Sequence, residues 1–205
     1  MYARATWFEG PADQVEARVA EYPQRMQSIK EAPGCIGIAA LVNRETGAGI
    51  SVTYWDTQES MLATEVAGEK IRAQVLAEGG PQVQDVDRFE VILQERVAPL
   101  ISGTFVRVND FVAPPANRDA VADVLRGGLP VGRGLSGFRA VLVSANRDTG
   151  RMLVASIWDT AADREASLEA ARSIGDELRA VRGDVSVKTD LYEVVYSDIK
   201  LPATV

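Results

Sequence analysis

Asn43-Arg44-Glu45-Thr46-Gly47, followed by Tyr54-Trp55-Asp56-Thr57, returns 103 positions later as Asn146-Arg147-Asp148-Thr149-Gly150 and Ile157-Trp158-Asp159-Thr160. At that offset about twenty positions are identical over the first ninety-five residues without a gap, several times the chance level, which identifies an internal duplication. The match reaches both ends of the unit. Arg4 falls on Arg107, Phe8 on Phe111, Pro11 on Pro114, Gly34 on Gly137, and Glu90-Val91 on Glu193-Val194.

Hydrophobic period gives each copy the same order of elements. A first strand (Tyr2 to Glu9; Thr104 to Val112) runs to a proline suited to a helix start. In copy one, Val15, Val19, Tyr22, Met26 and Ile29 form a helical stripe, with a kink predicted at Pro23. In copy two, Gly127, Gly128 and Pro130 predict a shorter helix, interrupted after Leu125. The runs Cys35 to Val42 and Gly49 to Trp55 read as strands around a hairpin turn, as do Phe138 to Ala145 and Met152 to Trp158. Thr57 and Thr160 read as N-caps of a second helix. Its predicted buried stripe is Ala63, Ala67, Ile71 and Val75, matched by Ala166, Ala170, Ile174 and Leu178. A last strand (Val86 to Leu93; Val187 to Tyr196) closes each unit.

A single βαββαβ unit has helices on one face of its sheet and leaves the other face apolar and uncovered. Two copies joined by the short Ala98-Pro99-Leu100-Ile101 region can cover both faces within one chain. The expected fold is therefore α+β: two tandem ferredoxin-like βαββαβ repeats, residues 1–97 and 102–198 with a tail at 199–205, forming an intramolecular dimeric α+β barrel. Side-by-side domains that each pair with another chain remain the alternative. A homodimer beyond the internal pseudo-dimer is left open.

Composition narrows function by exclusion. The chain has 205 residues, 46% hydrophobic and 25% charged, the ordinary globular range. Its net charge is -7 and no run of Lys or Arg exceeds two, so neither nucleic acid nor a membrane surface is an expected partner. The N-terminus shows no basic flank and apolar core of an export signal, and no apolar stretch is long enough to span a bilayer, which points to a cytoplasmic location. Cys35 is the only cysteine, which excludes an internal disulfide. Histidine is absent, and with it go imidazole bases, Ser-His-Asp relays, imidazole metal sites and a proximal haem ligand. No metal or cofactor is expected.

A strand ending in aromatic-Trp-acid-Thr and passing directly into an amphipathic helix, as at 54–57 and 157–160, resembles the antibiotic-biosynthesis-monooxygenase (ABM) domain family. The resemblance covers nearly the whole chain and is repeated at the same place in each copy. It implies a dimeric α+β barrel, often with a pocket between the second helix and the sheet. Some members oxidise polycyclic phenols or quinols with oxygen and neither metal nor flavin; others degrade haem; many have no established activity. The haem-degrading branch relies on an asparagine on the first strand and a tryptophan and histidine on the second helix. Asn109 fits the first, copy one has Thr6 there, and Thr64 and Ser167 stand at the tryptophan position, so this sequence departs from that pattern.

By two-residue alternation, Arg4, Thr6 and Phe8 share one strand face, as do Arg107, Asn109 and Phe111. An arginine, an asparagine and an aromatic facing one cavity could orient a phenolate and stabilise its charge. Arg107, Asn109 and Trp158 are the candidate catalytic residues, and Arg4, Thr6, Phe8, Phe111, Trp55 and Tyr192 the candidate substrate-binding ones. The competing reading makes Trp55 and Trp158 packing residues under the following helix, and pairs Arg4 and Arg107 with Glu90, Glu193 or another acid. The expected partner is a small apolar or aromatic molecule. The expected function is cofactor-independent oxygenation of an aromatic or quinol-type molecule; a non-catalytic binding or purely structural barrel is the alternative.

Overall fold

The turn at Asn43 to Gly47 is built by its own polar atoms. Asn43 Oδ1 accepts from the backbone N–H of Glu45 and Thr46, both at 3.0 Å, and the Gly47 N–H donates to the Asn43 carbonyl at 2.9 Å. Gly47 has φ 74°, where a side chain would be strained, and a Cβ would stand 1.9 Å from the Gly10 carbonyl oxygen. Asn146 repeats this with Asp148 and Thr149, and Gly150, also at φ 74°, would place a Cβ 2.1 Å from the Ala113 oxygen. The turn thus sets the hairpin and leaves room for the chain leaving the first strand.

A computed structural model describes residues 1–199; beyond Ile199 the expected tail lies outside the described residues. The first repeat comprises β1 (Tyr2–Glu9), a 3-10 turn (Ala12–Gln14), α1 (Val15–Arg25), α2 (Gln27–Lys30), β2 (Cys35–Val42), β3 (Gly49–Trp55), α3 (Gln58–Ala63), α4 (Glu65–Ala77) and β4 (Gln82–Arg96). The second comprises β5 (Phe105–Val112), a 3-10 turn (Pro115–Asn117), α5 (Arg118–Arg133), β6 (Phe138–Ala145), β7 (Arg151–Trp158), α6 (Ala161–Ala170), α7 (Arg172–Arg182) and β8 (Lys188–Ile199). Among the described residues no helix is long and apolar enough to cross a membrane.

The last strands do not complete their own repeats. β3 lies antiparallel between β1 and β2, and the free edge of β2 pairs with β8, from Gly37 opposite Ile199 to Val42 opposite Glu193. Likewise β7 lies between β5 and β6, and β6 pairs with β4, from Glu90 opposite Ala145 to Arg96 opposite Ala140. The strand order β1-β3-β2-β8-β5-β7-β6-β4 closes on itself as an antiparallel barrel, so the fold is α+β with an eight-stranded barrel. By compactness, the described residues divide into unit 1 (1–89 with 192–199) and unit 2 (90–191). Each exchanged strand carries the glutamate of the repeat signature to the arginine of the other repeat's turn. Arg44 Nε donates to Glu193 at 2.7 Å, and Arg147 Nε to Glu90.

In unit 1, Trp55, Ile29, Ile38 and Met61 form an apolar cluster between helices and sheet; in unit 2, Val121, Val143, Ala145 and Met152 do so. Thr57 Oγ1 accepts from Ser60 N–H at 3.1 Å and Thr160 Oγ1 from Asp163 N–H at 3.0 Å, so both N-caps stand as expected. Pro23 lies inside α1, which ends two residues after it.

Three helix expectations are corrected. The first helix of copy two does not stop at Leu125 but runs to Arg133 as one 16-residue helix. Its glycine has a packing cause: a Cβ on Gly128 would stand 2.7 Å from Ile174 Cδ1, so glycine lets α5 lie against α7. The second helix of each copy is two segments, broken at Thr64 and at Ala171. Ala63 and Ala166 are exposed; the buried positions are Met61, Thr64 and Gly68 in copy one and Ser167 in copy two. The rest of the predicted stripe, Ala67, Ile71 and Val75 with Ala170, Ile174 and Leu178, is half-buried as expected, so the correction concerns its first position in each copy.

Gly150→Ala should lower stability by more than about 1 kcal/mol, since it meets both an unfavourable φ and the Ala113 carbonyl. Urea unfolding checks this, and an unchanged midpoint would refute the stated cause.

Candidate functional site

The two repeat-matched arginines tie sheet to helix in the same way. Arg4 on β1 is 3% exposed and donates through Nη2 to the Met61 carbonyl and, at 3.1 Å, to Thr64 Oγ1. Arg107 on β5 is 7% exposed and donates to the Arg164 carbonyl and, at 3.1 Å, to Ser167 Oγ. Thr64 and Ser167 in turn donate to those carbonyls, at 2.9 Å and 2.6 Å. The Met61 carbonyl stands at the α3–α4 break, where helix carbonyls run short of intrahelical donors, and Arg4 adds one; the Arg164 carbonyl lies inside α6, seven residues before the break at Ala171, so there Arg107 tethers an unbroken helix.

Their charges are balanced differently. Arg4 Nε lies 3.4 Å from Glu65, which also meets Arg88 at 2.8 Å and Arg72 at 3.5 Å. Burial would raise the Glu65 carboxyl, but the Arg88 hydrogen bond and the charges of Arg4, Arg88 and Arg72 hold it below its ordinary value. No ion pair is found for Arg107 among the described residues; only exposed Glu165 draws its proton affinity up, against burial and the Arg164 charge, which pull it down. It remains a cation, as guanidinium does in proteins. Neither arginine pairs with Glu90 or Glu193, which bind the turn arginines instead.

A cavity lies between helices and sheet in each unit. That of unit 1, about 410 Å³, is lined by Arg4, Thr6 and Phe8 with Tyr22, Ser51 and Thr53. The Tyr22 hydroxyl is 2.8 Å from Ser51 Oγ and donates to the Ala39 carbonyl at 3.1 Å; burial pushes its phenol well above the ordinary value. That of unit 2, about 650 Å³, is lined by Arg107, Asn109, Phe111 and Trp158, among others. Asn109 Oδ1 accepts from Thr189 Oγ1 at 2.8 Å, which leaves its NH2 for a ligand. Trp158 packs edge-on against Phe138 and its indole N–H donates to Ser156 Oγ at 3.1 Å.

The remaining candidates lie elsewhere. Trp55 is 0% exposed, gives its indole N–H to Thr53 Oγ1 at 2.9 Å, and lines neither cavity; it is a packing residue. Tyr192 is buried in unit 1 and also lines neither. Sequence reasoning missed Tyr22, read as helix stripe, and the arginines Arg172, Arg179 and Arg182 on α7 that line the second cavity. Their spacing of seven and three puts them along one helical face, a signal that was available. Among the described residues no group of three or more acidic, Cys or His side chains could hold a metal.

Because the Glu65 carboxyl is depressed, its contribution to stability is present above the unfolded glutamate value and is lost as pH falls through the folded value. Glu65→Gln should therefore be less stable than the parent at pH 7, with the gap closing on acidification below the ordinary carboxylate range. A gap independent of pH would contradict the assignment.

Comparison with known proteins places this geometry. Residues 1–65 match the family model described as antibiotic biosynthesis monooxygenase. The uncharacterized protein Rv2557 of Mycobacterium tuberculosis is 23% identical over 210 residues, covering 100% of this chain and 92% of its own. Among solved structures, an anthrone oxidase-like protein superposes with TM-score 0.72 at 17% identity, covering 98% of this chain and 94% of its own. The FN1347 protein of Fusobacterium nucleatum does so with TM-score 0.73 at 11% identity, covering 100% and 96%. The first repeat thus carries the match to the antibiotic biosynthesis monooxygenase family, and the fold shared with monooxygenase-like structures extends over the whole chain.

Proposed function

We propose that the unit 2 cavity binds a small phenol- or quinol-type aromatic molecule and that the protein acts on it as a monooxygenase-like oxidoreductase. The observation that carries this reading is a buried arginine without a carboxylate partner, beside an asparagine with an uncommitted NH2, in a largely apolar cavity of about 650 Å³. Such a volume suits a polycyclic or substituted aromatic.

The chemistry requires little of the protein. Loss of a proton from a carbon activated by the ring carbonyl gives a carbanion whose charge rests on oxygen, and Arg107 and Asn109 stabilise that oxyanion. The carbanion gives one electron to dioxygen. The resulting radicals join in a C–O bond, and the protonated hydroperoxide loses water to leave a ketone, so that one oxygen atom enters the substrate and the other leaves as water. Trp158, Phe111 and Phe138 hold the rings and exclude solvent. A neighbour described as anthrone oxidase-like supports the reaction class for this chain.

A second reading, ligand binding without turnover, is favoured by one feature. Among the described residues the only acid lining the cavity is Asp176, which is exposed and 3.6 Å from Arg179, so none of them places a buried base beside Arg107.

Oxygen consumption with a panel of anthrones and hydroquinones separates the two readings. The first expects uptake above the spontaneous rate, reduced about tenfold or more by Asn109→Leu with unchanged thermal unfolding. Uptake at background across a panel whose members nonetheless raise the melting temperature would leave the binding reading in its place.

A further inference from the structure

Resting on the reading of the unit 2 cavity as a ligand site, we propose that its ligand is an aromatic carboxylate, whose carboxylate occupies next to Arg107 the place that Glu65 fills next to Arg4.

The two units offer a comparison within one chain. The anchoring is the same: arginine on the first strand, carbonyl three residues before a helix hydroxyl, and that hydroxyl. The residue after the hydroxyl differs. Glu65 follows Thr64 and neutralises Arg4; Leu168 follows Ser167, is 47% exposed, and lines the second cavity. Substitution of an acid by leucine removes the internal counter-ion and adds apolar wall. A buried cation without a partner is costly, and an anion delivered by a ligand offsets that cost.

The surrounding charges point the same way. Among the described residues, the unit 2 cavity is lined by four arginines, Arg107, Arg172, Arg179 and Arg182, against the single acid Asp176. In unit 1, Arg25 is held by Glu21 and Glu78, and Arg4 and Arg72 share Glu65, so carboxylates of the protein stand beside three of the four arginines that line that cavity, Arg18 being the fourth. Arg182 lies over the Phe111 ring at 5.4 Å, which provides a flat cationic edge beside an aromatic wall. A rigid aromatic acid matches this set: a planar body between Phe111, Phe138 and Trp158, and a carboxylate for the guanidinium fork.

The test is calorimetric titration at pH 7 of the full chain with 1-naphthoate, 1-naphthamide and 2-naphthol. The first is an anion, the second its neutral counterpart, and the third a neutral phenol. The proposal expects naphthoate to bind at least about tenfold more tightly than naphthamide. Leu168→Glu, at a half-exposed position, should abolish that preference by supplying the missing acid, while Leu168→Gln keeps it. Binding of naphthol with no preference for naphthoate would overturn the carboxylate assignment and leave the cavity reading standing. Binding of none of the three would overturn both. Naphthoate binding unaffected by Leu168→Glu would place the anion elsewhere and overturn the proposal.

Discussion

The exchange of last strands is the constraint on which the rest depends. β2 and β6 each have one edge that their own repeat does not pair, and an open edge exposes a row of unpaired backbone groups. β8 covers the first and β4 the second. Each sheet is completed by residues distant in sequence, and the Arg44–Glu193 and Arg147–Glu90 pairs stand at the register where the exchange begins. Exposed ion pairs of this kind add little stability, so their value is in fixing register rather than in holding the sheet together. The exchange reaches the sites as well. Val195 of β8 lines the first cavity, and Thr189 of the same strand holds Asn109 in the second.

Within that frame, duplication has separated two roles of one arginine. In both units it ties the first strand to a helix carbonyl, a structural duty that explains why Arg4 and Arg107 are both present. What surrounds it has drifted. In unit 1 Arg4, Arg72 and Arg88 share the carboxylate of Glu65, and the cavity is the smaller; unit 2 has leucine at the matching position and the larger cavity. On the proposed reading the fold needs the tether twice but a ligand site once, which leaves the second set of flanking residues free to change.

Features governed by local chemistry were legible in the sequence. The Asn-x-x-x-Gly turns, the threonine caps and the order of elements each depend on residues within a few positions of one another, and each stands as read. Features that depend on a distant partner were not. Glycine and proline in α5 suggested a break because local propensity disfavours them, whereas Gly128 is there to admit Ile174 from another helix. The helix breaks at Thr64 and Ala171 carry no glycine or proline, and at the first of them the helix hydroxyl and carbonyl meet an arginine from the sheet. Alternation along β1 and β5 brought Arg107, Asn109 and Phe111 to one wall correctly, but nothing in the period of β3 or β8 shows that Trp55 and Tyr192 are sealed away from the cavities.

Backbone nuclear Overhauser contacts across the sheets test the strand exchange most directly. The account predicts contacts between Ala39 and Ser197 and between Leu93 and Val143, each pair joining one repeat's hairpin to the other's last strand. Contacts of β2 with β4 and of β6 with β8 in their place would show that each repeat closes its own sheet, and would contradict it.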